Sequence, residues 1–149
     1  MAVKYKRVLL KVSGEALAGA KGSGFDEVVI AGICGGIAQA YRAGAQIGIV
    51  VGGGNFWRGR SSGKMDHMDA DKIGMLATVM NALALKDALR QAGVPAVVMT
   101  SAVMPQVAEP FTSDKAIAAL EAGQVVVFGG GTGTPIFSTD TASALRALE

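Results

Sequence analysis

Apolar positions along the chain fall into two kinds of run. Val8-Leu9-Leu10, Ile47-Gly48-Ile49-Val50-Val51, Ala96-Val97-Val98-Met99 and Val125-Val126-Val127-Phe128 are short and continuous. A strand with one wet face alternates apolar and polar residues, whereas a strand covered on both faces does not. These four runs therefore read as strands of a parallel sheet held between helices. Elsewhere the apolar spacing is helical. Ile30, Ile33, Ile37 and Tyr41 form one stripe, and Leu76, Met80 and Leu83 form another.

Turn residues divide these runs consistently. Ala43-Gly44, Ala92-Gly93 and Ala122-Gly123 each precede a strand within a few residues, as glycine does just past a helix end. Thr112 or Ser113 is placed to cap a short helix, and Thr139 to Glu149 reads as a helix with Ala142, Leu145 and Leu148 on one face. The order is β-α-β-α-β-α-β-α, which right-handed crossovers convert into a three-layer α/β/α sandwich around a mainly parallel sheet. Unequal spacings argue against a true internal repeat. Residues 1–149 make one domain, and the helix pattern running to Glu149 without a cap predicts that more protein belongs beyond it.

Composition narrows the class. Half of the 149 residues are hydrophobic, 5% are aromatic and 21 are glycine, which fits a compact α/β protein with many tight turns. A net charge of +2 is too small to imply nucleic-acid binding, and Lys4, Lys6 and Arg7 read as solvated charges before a strand. The single cysteine, Cys34, rules out an internal disulfide and reads as a small core side chain. No run reaches the roughly 18–20 apolar residues of a membrane span, and the basic N-terminus does not lead into a signal-peptide pattern. A cytoplasmic protein is the expectation.

The chemistry gathers where three strands end in glycine turns: Lys11-Val12-Ser13-Gly14, Gly52-Gly53-Gly54-Asn55 and Gly129-Gly130-Gly131-Thr132-Gly133. Glycine brings bare N–H groups close to an anion with no Cβ in the way. The usual fingerprints are missing. Gly59 to Met65 is one residue short of a Walker A loop and ends in Met, and no Gly-x-Gly-x-x-Gly occurs. Lys11 suits a bridge between phosphate oxygens, or is an ordinary strand-end lysine. Gly52 to Arg60 offers backbone donors and the guanidinium forks of Arg58 and Arg60, or is a tight turn with solvated arginines. Trp57 reads as a packing or interface residue. Asp66, Asp69 and Asp71 lie beside the only histidine, His67; the His67–Asp71 spacing suits a metal, but a solvated first helical turn explains it as well. From Gly129 to Asp140, Thr132, Thr134, Ser138, Thr139 and Asp140 surround Pro135 and Phe137, as in a polar-ligand loop, a capped helix start, or both.

Four segments together resemble the bacterial uridylate (UMP) kinases of the amino-acid kinase superfamily. They are KVSGEAL (Lys11 to Leu17), VVGGGNFWRG (Val50 to Gly59), Asp71 through GMLATVMNALALKDAL (Gly74 to Leu89) and GGGTGTPIFSTDTASALRALE (Gly129 to Glu149). The resemblance implies transfer of the ATP γ-phosphoryl group to UMP, with Mg²⁺ entering alongside ATP. It puts Lys11, Ser13, Gly14, Gly54 and Arg58 at the ATP phosphates, with Lys11, Arg58 and Asp140 as the catalytic set, Asp140 positioning Lys11. Gly53, Asp71, Thr132, Gly133, Thr134, Pro135, Ile136, Phe137, Ser138 and Thr139 would hold UMP. Gly19-Ala20-Lys21-Gly22-Ser23-Gly24 resembles a loop that the family links to GTP activation, and as a bare sequence reads as a flexible loop. GTP and UTP as effectors, and a homohexamer with contacts on the Asp71–Leu89 helix and Trp57, are implied in the same way. No resident metal site is expected.

Two departures accompany the resemblance. Lys72 and Ile73 differ from the expected variants with little consequence for the chemistry. Family members also continue well past this point, where their adenosine-binding region and a further catalytic aspartate lie. Residues 1–149 would then be the N-terminal, acceptor-binding portion of an amino-acid kinase fold. The rival expectations are a non-catalytic nucleotide- or oxyanion-binding protein on the same fold and, disfavoured by the missing fingerprint, a dinucleotide oxidoreductase.

Overall fold

The computed structural model describes residues 2–58 and 63–149. Five strands, β1 (Arg7–Val12), β2 (Gln46–Val51), β3 (Ala96–Thr100), β4 (Glu109–Pro110) and β5 (Val125–Gly129), form one sheet in the order β1-β2-β5-β3-β4. Every pairing is parallel. The helices are α1 (Gly14–Ala18), α2 (Glu27–Arg42), α3 (His67–Gln91), α4 (Ser113–Glu121) and α5 (Thr139–Leu148). The four expected strands and the three-layer α/β/α sandwich are present. Two short elements were not legible in the pattern: the five-residue α1 and the two-residue β4.

Successive strand residues point to opposite faces, and the core divides accordingly. Ile47, Ile49, Val51, Val125 and Val127 pack with α2 and α3, while Val50, Val126 and Phe128 pack with α4 and Ala142 of α5. Val125, Val126 and Val127 have no exposed surface, and full burial of each contributes roughly 1.5–3 kcal/mol. β1 is an edge strand, so its apolar residues are only half-buried.

The helix ends follow the glycine signals. Gly44, Gly93 and Gly123 have φ of 100°, 79° and 80°, and in each case the next residue's N–H reaches back five positions to a helix carbonyl. This is the Schellman closure. Thr112 caps α4 and Ser138 caps α5. The α2 stripe faces the core as expected.

Two expected stripes are corrected. On α3, Leu76 and Met80 are 54% and 46% exposed, and only Leu83 of that set packs on the core. The buried face instead runs through Ala77, Thr78, Asn81, Ala82, Leu85 and Leu89. Its Ala77, Thr78, Asn81 and Ala82 are small or polar where the helix passes close to the glycine turns, and Leu85 and Leu89 continue the face into the core. On α5 only Ala142 is buried, and Leu145 and Leu148 remain exposed, because α5 packs over β1 and β2 at the sheet's edge. Cys34 is fully buried, and burial pushes its thiol up to about 11, so it stays protonated and weakly nucleophilic at neutral pH. No described helix is long and apolar enough to cross a membrane.

Candidate functional site

β1, β2 and β5 are neighbours and run in the same direction, so the three glycine turns leave one edge of the sheet side by side. Ligands of open parallel sheets bind at this carboxyl edge, where helix N-termini and backbone donors converge.

The first turn is locked against the second. Gly14 is buried at the start of α1, and a Cβ there would lie 2.6 Å from the Gly54 nitrogen and 2.7 Å from the Gly52 oxygen. Ser13 occupies the cap position of α1, but its hydroxyl makes no capping bond. Lys11 is the penultimate residue of β1, and its Nζ lies 2.9 Å from Asp140 Oδ1. Both side chains are well exposed, so the pair adds little stability. It does hold the ammonium beside the start of α5.

The second turn lies against α3. A Cβ on Gly53 would meet Ala77 Cβ and the Gly74 oxygen, each at 2.9 Å. Among the described residues the Gly53 and Gly54 N–H groups have no hydrogen-bond acceptor. Arg58 extends from this turn and pairs with Glu15 of α1 at 2.7 Å. Gly59 and Arg60 lie outside the described residues.

The third turn has the most unusual backbone. Gly130, Gly131 and Gly133 have φ of 82°, 58° and 83°, and so does the β-branched Ile136, at 83°. Such a conformation costs free energy unless its surroundings impose it. Here the Ile136 N–H donates to Asp71 Oδ2 at 2.8 Å. Thr132 and Thr134 bond reciprocally at 3.1 Å. The Thr139 hydroxyl closes the distance to the second turn, lying 3.7 Å from where a Gly52 Cβ would be.

A cavity of about 290 Å³ lies between the second and third turns. Gly53, Gly54, Asp71, Thr134, Pro135, Ile136, Phe137, Ser138 and Thr139 all line it. Thr132 and Gly133 belong to the turn but not to the wall, and Lys11, Ser13, Gly14, Arg58 and Asp140 lie outside the lining. Trp57 is one wall of this cavity, and its buried Nε1 has no hydrogen-bond partner among the described residues. The acidic cluster near His67 has other work: Asp66 caps α3, Asp69 pairs with Lys72, and Asp71 holds Ile136. Among the described residues no three His, Cys, Asp or Glu side chains gather as metal ligands. The Gly19–Gly24 segment is not a free loop. It contains a 3₁₀ turn over Gly19–Lys21, and Asn55 clamps Gly24 by two hydrogen bonds, at 2.9 and 3.1 Å.

The amino acid kinase family profile matches residues 6–149. The chain belongs to the amino acid kinase family. Among similar proteins is the uridylate kinase of Limosilactobacillus reuteri (strain DSM 20016), 54% identical over 149 residues. The match covers 99% of this chain and 62% of the relative. The crystal structure of UMP kinase from Bacillus anthracis superposes with a TM-score of 0.92 at 39% identity, covering 97% of this chain and 60% of that one. UMP kinase from Ureaplasma parvum gives 0.90 at 34% identity, covering 95% and 63%. The chain thus spans about three fifths of the length of these relatives.

Of four buried polar side chains around the turns, Asn55 fell within a turn the sequence singled out, while Thr78, Asn81 and Thr100 escaped the sequence reading as functional candidates. Asn55, Thr78, Asn81 and Thr100 are the buried polar residues of the described chain, and all four lie beside glycine turns. A signal for two of them existed: Thr78 and Asn81 interrupt an apolar helical run three residues apart. Glu15, within a segment already singled out, was not assigned its pairing with Arg58.

Proposed function

We propose that the cavity between the second and third turns takes UMP, that the Lys11–Gly14 turn takes the phosphates of ATP, and that the γ-phosphoryl group passes from ATP to UMP. An oxygen of the UMP phosphate forms the new bond to Pγ as the bridging Pγ–O bond to ADP breaks, giving UDP and ADP. Such a transfer needs alignment and charge compensation rather than a protein nucleophile. The observation carrying this reading is the pair of N–H groups at Gly53 and Gly54, which have no acceptor among the described residues, on a wall of the nucleotide-scale cavity and at the same sheet edge as Lys11. Lys11 and Arg58 supply positive charge, and Asp140 and Glu15 orient them. Asp71 has one carboxylate oxygen on Ile136 and the other for a ribose hydroxyl.

Mg²⁺ suits this donor set as an ion brought in on ATP, held chiefly by phosphate oxygens and water. It would offset charge on the phosphates. The two nearby carboxylates, Glu15 and Asp140, are each paired with a cation. Residues 1–149 serve as the acceptor-binding portion of the fold, in a cytoplasmic setting. Self-association is supported by the exposed Leu76 and Met80 on α3. A GTP or UTP effect on the Gly19–Gly24 segment would have a direct route to the second turn through Asn55.

The test is to supply UMP and MgATP and follow UDP by chromatography. UDP formed from UMP in preference to CMP is the expected result. Thermal protection by UMP with no UDP would select the non-catalytic nucleotide-binding reading instead. Absence of both would remove the acceptor assignment.

A further inference from the structure

One face of α3 carries two buried polar side chains, Thr78 and Asn81, three residues apart, and each is bonded to a different glycine turn. The Thr78 hydroxyl donates to the Met75 oxygen at 2.6 Å and accepts the Gly130 N–H at 2.7 Å. Asn81 Nδ2 donates to the Gly52 oxygen at 2.6 Å and to Asn55 Oδ1 at 2.7 Å, while Asn55 Nδ2 returns a bond to Asn81 Oδ1 at 3.0 Å. The remaining Asn55 amide hydrogen reaches the Gly24 oxygen. Both amides thus use every N–H they have, which makes the network a rigid, fully satisfied one.

We infer that Thr78 and Asn81 are positioning residues that set the separation and orientation of the second and third glycine turns for the acceptor phosphate, an inference that rests on the acceptor assignment above. The geometry supplies the reason. In a trans peptide the C=O of one residue and the N–H of the next point in opposite directions. Drawing the Gly52 oxygen toward Asn81 therefore turns the Gly53 N–H the other way, and Gly53, like Thr78 itself, lines the cavity. Drawing the Gly130 N–H onto Thr78 fixes where the third turn begins. A single helix turn then acts as the spacer between the two loops, because a helix is far stiffer than either glycine turn. The helix could not approach closely enough if either turn carried side chains: a Cβ on Gly129 would lie 3.1 Å from the Val79 Cα, and one on Gly53 2.9 Å from Ala77.

The inference is tested with Thr78→Val, Thr78→Ser and Asn81→Leu in the full chain. UMP affinity is read by calorimetry well below each melting temperature, and the glycine amides by ¹H–¹⁵N spectra. Thr78→Val and Asn81→Leu should each weaken UMP binding by about tenfold, since each leaves a buried polar group unpaired and frees one turn. Thr78→Ser should bind within about twofold of the parent, and the Val and Leu changes combined should cost less than the product of the two. In Thr78→Val the amides of Gly52 to Gly54, on a turn to which the Thr78 hydroxyl makes no hydrogen bond although the Thr78 backbone N lies 3.3 Å from where a Gly53 Cβ would be, should shift together with Gly130. UMP affinity of Thr78→Val equal to the parent, with a lower melting temperature alone, would mean a purely structural role and overturn the inference. If Asn81→Leu does not fold, the Val and Ser pair decides. If the parent itself does not bind UMP, the acceptor assignment has failed, and the amide spectra judge the spacer: a shift confined to Gly130 overturns it.

Discussion

Lys11→Ala should lower MgATP-dependent UDP formation by roughly 10²–10³-fold while leaving UMP affinity within about twofold. The asymmetry follows from placement. Lys11 lies outside the lining of the acceptor cavity, and its ammonium is held by Asp140 at 2.9 Å beside the first turn. On the proposed reading, removing it deletes charge compensation for the transferring oxygens but touches no wall of the acceptor cavity. Lys11→Arg should restore little, because a planar fork does not reproduce a compact point charge at one position. Steady-state UDP assays paired with UMP calorimetry measure both halves. Equal loss of affinity and turnover would put Lys11 in the acceptor site instead.

Gly14→Ala should destabilise the protein by about 3 kcal/mol or more, with the melting temperature falling by roughly 10 °C, and should abolish UMP binding. The added methyl would lie 2.6 and 2.7 Å from backbone atoms of Gly54 and Gly52, which cannot move aside without opening the second turn. Gly32→Ala on α2 is the matching control. Nothing lies within 4 Å of its Cβ position, so it should be neutral or stabilising by up to about 1 kcal/mol. Thermal melts with and without UMP compare the two directly. A Gly14→Ala protein that melts with the parent would show that the first and second turns are not locked together.

Much of the architecture was legible because buried parallel strands and Schellman glycines leave strong local marks. Val125 to Phe128 announces itself as a two-face-buried strand, and Gly44, Gly93 and Gly123 mark helix ends wherever they occur. The elements that escaped are the ones with little local signal: α1 has five residues, and β4 is two residues paired through Met99 and Thr100. The α3 stripe misled for a physical reason. Leu76 and Met80 have the spacing of a core face, yet close approach to Gly53 and Gly129 gives the buried side to Ala77, Thr78 and Asn81. At the site, glycine turns and hydroxyl-rich runs pointed to segments that the fold brings together at one sheet edge. What no local pattern could supply was adjacency, since the strand order β1-β2-β5 alone puts Lys11, Gly53 and Thr139 at one edge. The pairs Lys11–Asp140 and Arg58–Glu15 are likewise products of tertiary placement.

The central claim is that an acceptor nucleotide binds between the second and third glycine turns. Titration of the ¹⁵N-labelled chain with UMP tests it most directly. Saturable shifts at Gly53, Gly54 and the amides from Thr132 to Thr139, weaker with CMP, are the predicted result. Shifts confined to other parts of the chain, or none at millimolar UMP, would contradict it.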